Sequence, residues 1–333
     1  MKSRLFRGLI LAAGVATLGL LLWKLEPARV WELLRRIGWG WLLIIPGHGV
    51  DHVFNAWGWK FAFSAKDADR VSLGKIYVAR IAGDGVNYLT PSGTIAGEVV
   101  RPGMLGGEVS EEAKIASVVV AKFTQALAQV GFILLGLALL LQHGLTMVES
   151  ARKWIPLLTG ALILACAGVC AFGWYFSRKS AGQKAAAGPW SLLAIQGQIA
   201  DFFRDHPGRF ALSIAFFILG YAWGIVEVLL VCHFLGVPLG LLLATGVEVL
   251  STMIDGMTFM VPAKIGTQEA GKTAIFAGLG LGAGAGFAFG AVRHLRELVW
   301  AAGGLMLYTF QQRGLSSAEP PKKDERPLSG AVA

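Results

Sequence analysis

The sequence predicts an all-α polytopic integral membrane protein with about six full transmembrane helices plus two re-entrant broken helices in an inverted repeat. Three observations predict it. Of 333 residues, 55% are apolar and only 15% are charged, and the apolar runs are longer than a soluble core supplies. Those runs are continuous rather than alternating, which argues against a β-barrel. A charged stretch that interrupts them, Asp84 to Arg101, recurs at Asp255 to Lys272.

The two copies read DGVNYLTPSGTIAGEVVR and DGMTFMVPAKIGTQEAGK. Asp84, Gly85, Pro91, Glu98 and Arg101 fall without a gap on Asp255, Gly256, Pro262, Glu269 and Lys272. The same offset puts Lys122 on Arg293, each inside a later apolar helix. Charge within a membrane segment is costly and is normally kept for function, so two matching clusters argue for a duplicated site.

In chain order, the first span covers about Arg7 to Trp23. It has the basic start of a signal peptide but continues without a small-residue cleavage site, so it reads as an uncleaved helix. Glu26 to Arg36 is amphipathic and suits the interface. The second span, Ile37 to Phe61, is bracketed by Trp39, Trp41, Trp57 and Trp59, as a membrane-interface belt requires. Ile76 to Leu89 is short for a span, carries Arg80 and Asp84, and leads into the first motif. A long helix from Ala113 to Leu141 holds Lys122, Gln125 and Gln129. Spans follow at Ile155 to Phe176 and Phe210 to Phe234, joined by a basic connection and the amphipathic piece Ile195 to Phe203. Val237 to Met260, interrupted by Glu248 and Asp255, runs into the second motif. The glycine-rich run Gly278 to Gly290 reads as close helix packing rather than a phosphate loop. It opens the last helix, with Arg293, Arg296 and Glu297, ending near Phe310. The transmembrane unit is thus 1–310, with repeat halves of about 37–142 and 209–310, and 311–333 reads as a disordered cytoplasmic tail.

The loops orient the chain. With both termini in the cytoplasm, Lys60 to Lys75, Arg178 to Arg209 and the tail fall inside, and Cys232 to Gly240, free of Lys and Arg, falls outside. That satisfies the positive-inside rule, with Arg29, Arg35, Arg36, Arg152 and Lys153 as exceptions. Each motif segment then dips into the bilayer, breaks at its proline and leaves on the side it came from. Three crossings separate them, so they enter from opposite faces, as in inverted-repeat transporters. Irregular backbone at that depth needs protein or a wet cavity around it.

The net charge of +9 therefore belongs to membrane flanks and is no signature of nucleic-acid binding. The three cysteines, Cys166, Cys170 and Cys232, lie in apolar segments and are expected to pack. They form neither a metal spacing nor a disulfide framework. His48, Asp51, His52 and Asn55 share helical spacing but are expected to be packing or interface residues, because nothing else completes a coordination shell. No metal or cofactor is expected.

The stretch VNYLTPSGTIAGEVVRPGML resembles the N-x-x-x-P and G-G-E-x-x-R signature of the lysylphosphatidylglycerol synthase transmembrane-region family. VPAKIGTQEA, followed by RHLRELVWAAGGL, resembles that family's second signature. The resemblance covers most of the membrane part, and the chain looks closest to the short members associated with hopanoid biosynthesis. Two departures stand out, Ala96 at a frequent glycine and Lys264 at a frequent glycine or proline. The resemblance implies a flippase-like role. In the name-giving members the membrane part moves an aminoacyl phospholipid between leaflets, and a separate cytosolic domain makes it. The short tail here implies translocation without synthesis, in a bacterial inner membrane, with membrane lipids and lipid-biosynthesis enzymes as partners and oligomers allowed.

A head group must be sheltered across about 30 Å of hydrocarbon. For an anionic one, Arg101, Lys122, Lys272 and Arg293 are the natural partners, with Arg80 and Arg296 nearby, since guanidinium forks match phosphate. Asp84, Glu98, Asp255 and Glu269 would neutralise these bases or hold a cationic aminoacyl group, and Asn87 completes the candidate set. Glu98 with Arg101 and Glu269 with Lys272 stand at i, i+3 and are placed to pair. A plainer reading is that such pairs only pin broken helices together. Protonation of a buried carboxylate is a further means of coupling transport to a proton gradient. A lipid-modifying transferase using Glu98 or Glu269 as base, and a proton-coupled small-solute transporter, are the competing readings.

Overall fold

The structure, a computed structural model, describes residues 32, 35–90, 95–142, 160, 192–257, 261–264 and 266–317. The expected spans 7–23 and 155–176, most of the interfacial segment 26–36, the basic connection before residue 192, Pro91, Cys166, Cys170 and the tail from 318 lie outside it. Among the described residues the fold is all-helical.

A 3-10 turn at Gly38–Gly40 leads into α1, Trp41–Phe61. The short α2, Ala65–Ala68, begins at Ser64, whose hydroxyl accepts from the Asp67 amide. Ser72 caps α3, Leu73–Leu89, in the same way by accepting from the Lys75 amide. These caps satisfy amides that the first helical turn leaves free. The first motif then separates α3 from α4, Ala96–Gly103. A surface loop follows, in which Glu108 pairs with Lys75; that hydrogen bond holds the exposed Glu108 carboxyl below its ordinary pKa. Helix α5, Glu111–Gln142, starts on Glu111 and Glu112, the sign its N-terminal dipole prefers.

In the second part, α6 is Leu192–Asp205 and α7 is Pro207–Phe234, with its proline where the missing amide costs nothing. Helix α8, Leu241–Met257, runs toward the second motif, where a 3-10 turn at Pro262–Lys264 precedes α9, Thr267–Gly278. The last helix is α10, Ala283–Ser317. The offset that carries Asp84 onto Asp255 also carries α1 onto α7, α3 onto α8, α4 onto α9 and α5 onto α10, helix for helix.

Two described helices are both long and apolar enough to cross a membrane, α5 over Glu111–Leu140 and α7 over Pro207–Phe234. Helices α1 and α10, 21 and 35 residues long, reach the required length of about 20 residues. Their polar residues, among them His48, Asp51, Arg293 and Arg296, lower the hydropathy and line a cavity described below.

Packing repeats with the elements. Helix α3 lies on α10 as α8 lies on α5, and α1 meets α3 as α7 meets α8. Helices α1 and α7 run antiparallel: the Trp223 indole donates to the Gly47 carbonyl at 2.9 Å, the Ser213 hydroxyl to the Gly58 carbonyl at 2.8 Å, and Arg209 to the Phe63 carbonyl at 2.6 Å. Small residues allow these approaches. A Cβ on Gly85 would sit 2.7 Å from the Ala301 carbonyl, so α3 and α10 touch backbone to backbone. In the glycine-rich opening of α10, a Cβ on Gly286 would meet Phe276 at 2.6 Å, which makes this run a packing face for α9. One apolar cluster, around Trp59, Phe63, Ile76, Leu105 and Phe217, supports the first half. A second, around Val228, Val247, Phe276 and Phe289, supports the other.

Candidate functional site

The first motif is a helical hairpin held by its own polar groups. Helices α3 and α4 pass so closely that a Cβ on Gly97 would meet Asn87 at 2.6 Å and would also strike the Gly83 carbonyl. The Gly97 amide donates to Asn87 Oδ1 at 2.6 Å, which satisfies a donor at the start of α4. Arg101 reaches back to Asp84, Nη2 to Oδ1 2.5 Å, and pairs with Glu98 through its other arm. Its guanidinium also stands 5.8 Å over the Trp59 ring. Lys122 of α5 reaches Glu98 at 3.1 Å.

The second motif repeats the central bridge. Lys272 Nζ lies 2.7 Å from Asp255 Oδ1, joining α9 to α8 as Arg101 joins α4 to α3. The rest differs. Glu269 does not pair with Lys272 at i, i+3 as its spacing suggested; it takes His294 of α10 at 2.5 Å instead. Lys272 is claimed by Asp255 because α8 packs against that side of α9. In the turn between them Ala263 and Lys264 hold φ of 48° and 52°, conformations that non-glycine residues avoid. The strained turn aims Lys264 inward, 3.3 Å from Asp255 and 3.4 Å from Glu297.

Between the two hairpins lies a cavity of about 600 Å³, walled by α1, α3, α5, α7, α8 and α10. That lies within the size range of small-molecule binding sites. Of the residues singled out in the sequence, Arg80, Asp84, Asn87 and Lys122 line it from the first half. Asp255, Arg293 and Arg296 line it from the second. Glu98, Arg101, Glu269 and Lys272 do not. They sit behind the wall, with Lys272 fully buried, and brace the hairpins.

The structure adds residues to this wall. Arg293 is held bidentately by Glu248 of α8, at 2.6 and 3.3 Å. Arg296 donates to Glu227 of α7 at 2.6 Å, and the other oxygen of Glu227 faces His48 Nδ1 at 2.9 Å. Glycines clear the way for these carboxylates: a Cβ on Gly224 would strike Glu248, and one on Gly220 would lie 3.0 Å from Asp51. His48, Asp51 and His52, expected as packing or interface residues, stand in the cavity wall. From the sequence Glu227, the lone acid of an apolar span, and Glu248 stood open between lining a cavity and capping a helix; the structure places both in the wall. The helical spacing of the α1 trio was visible too, but not the neighbour it would meet.

Five cavity bases, Arg80, Lys122, Lys264, Arg293 and Arg296, are set among six acids, Asp51, Asp84, Glu227, Glu248, Asp255 and Glu297. The site is near neutrality overall and dense in both signs. Such a wall can take over the hydration of a polar group that itself carries both signs. No cluster with metal-binding geometry occurs among the described residues.

The family described as Lysylphosphatidylglycerol synthase TM region matches residues 6–303 of the chain. No curated protein and no solved structure matches it.

Proposed function

Because the chain belongs to the lysylphosphatidylglycerol synthase transmembrane-region family, we propose that it moves a polar-headed lipid between the leaflets of a membrane. Membership itself gives a membrane location and a lipid-related role. The observation that carries the finer reading is the charged cavity walled by corresponding helices of both halves. A head group would travel through it while the acyl chains stay in hydrocarbon.

The near balance of acids and bases favours a head group with both signs, such as an aminoacylated or otherwise zwitterionic phospholipid, over a bare anion. The motif hairpins act as two re-entrant segments of an inverted repeat, entering from opposite faces, with six full spans around them. The antiparallel course of α1 and α7, each the counterpart of the other, supports that inversion. The setting is a bacterial inner membrane with both termini cytoplasmic, and lipid-biosynthesis enzymes, including those of the hopanoid-associated subgroup, would supply the substrate. Translocation is preferred to transfer chemistry because five of the six cavity carboxylates are engaged by bases rather than poised beside a nucleophile.

Reconstitution into liposomes with head-group-labelled phospholipids tests this reading. Exchange between leaflets with unchanged lipid mass is the expected result. A changed lipid mass would make the protein a transferase, and accumulation of a water-soluble solute without lipid exchange would make it a small-solute transporter.

A further inference from the structure

Five of the six cavity carboxylates have a base at ion-pair distance. Asp84 has Arg80 and Arg101, Glu227 has Arg296, Glu248 has Arg293, and Asp255 and Glu297 share Lys264. Among the described residues Asp51 is the exception. Its Oδ1 accepts from Asn55 Nδ2 at 2.9 Å, one turn along α1, and Gly220 of α7 covers that oxygen closely. Of the ionisable groups that share the cavity with it, His48, Glu227, Arg80 and Asp84 act on it most strongly, two acids against one arginine and one imidazole. Asp51 is half-buried in the cavity wall, and a carboxylate with no base beside it takes up a proton more readily than its paired neighbours, because no cation stabilises its charged form.

A second observation lies beside it. His52 is buried, and its Nδ1 has no hydrogen-bond partner; the nearest carboxylate oxygen, on Asp84, is 3.6 Å away. Its ring stands 5.0 Å from that of His48, which in turn meets Glu227 at 2.9 Å. Trp300 and Tyr77 close the apolar side of the His52 ring. A line of titratable groups thus runs from Asp84 of the first motif, through both imidazoles on α1, to Glu227 and the Arg296 it holds. Asp51 stands beside that line.

We propose that Asp51, with His48 and His52 on the same helix, forms a proton-binding site that is loaded and unloaded as a head group passes. The proposal rests on the transport reading above and names its coupling. The proton adds to the Asp51 oxygen that Asn55 leaves free, and the two imidazoles carry it to and from the remainder of the cavity. Facing groups set when this happens: Arg80 and Asp84 from α3, Tyr221 and Glu227 from α7, and Arg296 from α10. Lys122 of α5 and Glu248 and Asp255 of α8 lie across the cavity. Protonation removes one negative charge from a wall where acids outnumber bases by one, so it brings the wall to balance and favours the anionic part of the head group. Release of the proton reverses that preference.

Two measurements on the full chain in lipid test it. Infrared difference spectra of the protein in nanodiscs, recorded over a pH series, are expected to show a carboxyl band that titrates with one proton. The band disappears in Asp51→Asn, moves in Asp51→Glu and shifts its midpoint in His52→Gln. Persistence of the same band in Asp51→Asn overturns the proposal. In proteoliposomes, a transmembrane pH difference is expected to change the rate of labelled-lipid exchange, by no more than about tenfold per pH unit for one proton. The ratio of rates with and without the gradient falls to one in Asp51→Asn and recovers in Asp51→Glu. An unchanged ratio in Asp51→Asn, or a response to a sodium gradient in place of a proton gradient, also overturns it. A titrating Asp51 band without any lipid exchange by the wild type supports the proton site and sinks the transport reading instead.

Discussion

Arg101 bridges to Asp84 across the first hairpin at 2.5 Å, and Lys272 reproduces that bridge to Asp255 at 2.7 Å in the second. One base from the short helix closes each hairpin on an acid of the preceding long one. Both bases are buried behind the cavity wall, so the bridge is part of the frame.

Arg101→Ala therefore leaves Asp84 and Glu98 without their shared partner. The expected loss is about 3 kcal/mol, at the low end for a broken buried pair because Lys122 and Arg80 still reach these acids. Arg101→Lys, which copies the arrangement at Lys272, should lose less. Thermal unfolding of both variants in detergent checks this; equal melting temperatures for the two and the wild type would remove the bridge from the frame.

Gly97→Ala tests the close approach of α3 and α4. The added methyl would collide with the Gly83 carbonyl and with Asn87, and overpacking of this kind costs about 1–3 kcal/mol. Gly103→Ala, on the same helix with nothing near its Cβ, serves as the comparison and should leave stability unchanged. Unfolding midpoints measured side by side decide the matter.

Lys122 is the cavity base most free to meet a ligand. Its side chain is 45% exposed, against 9% for Arg293 and 1% for Arg296. Lys122→Gln should lower leaflet exchange by about tenfold, the equivalent of 1.4 kcal/mol of lost head-group interaction, while the melting temperature stays near that of the wild type. Arg293→Gln should reduce both, because Glu248 is then buried without its base. Wild-type exchange in Lys122→Gln would mean that the head group takes another route.

Opposite insertion of the halves predicts opposite labelling. The end of α1 lies beside the start of α7, through Arg209 and Phe63, and the end of α7 lies beside the start of α1, where Phe234 covers Gly40. With the native cysteines replaced, a cysteine at exposed Lys66 should resist an impermeant maleimide added outside intact cells. One at exposed Pro238 should react. Labelling of both positions from the same face refutes the inversion.

The helices and the doubled motif were legible in the sequence. Long apolar runs leave a backbone in lipid no alternative to internal hydrogen bonds, and the spacing from Asp84 to Arg101 needs no structure to be matched with Asp255 to Lys272. Four helix pairs among the described residues are related by that same offset. The partners of the charges were another matter. Spacing along a helix tells which residues share a face, and it allowed Glu98 to pair with Arg101 and Glu269 with Lys272 alike. Only the first pair forms, because α8 brings Asp255 to Lys272 and α10 brings His294 to Glu269.

By itself, then, the sequence determined that this chain is an all-helical membrane protein carrying one charged motif twice. The tertiary structure alone decided that Arg101 and Lys272 brace the wall while Arg80, Lys122 and Arg293 face the cavity. It alone drew Asp51, Glu227 and Glu248 into that cavity from helices distant in the chain. The physical reason is that local chemistry sets where a helix forms and where it breaks. Which neighbour a buried charge meets depends on how whole helices cross, and at Gly85, Gly220 and Gly224 those crossings turn on the absence of a single side chain.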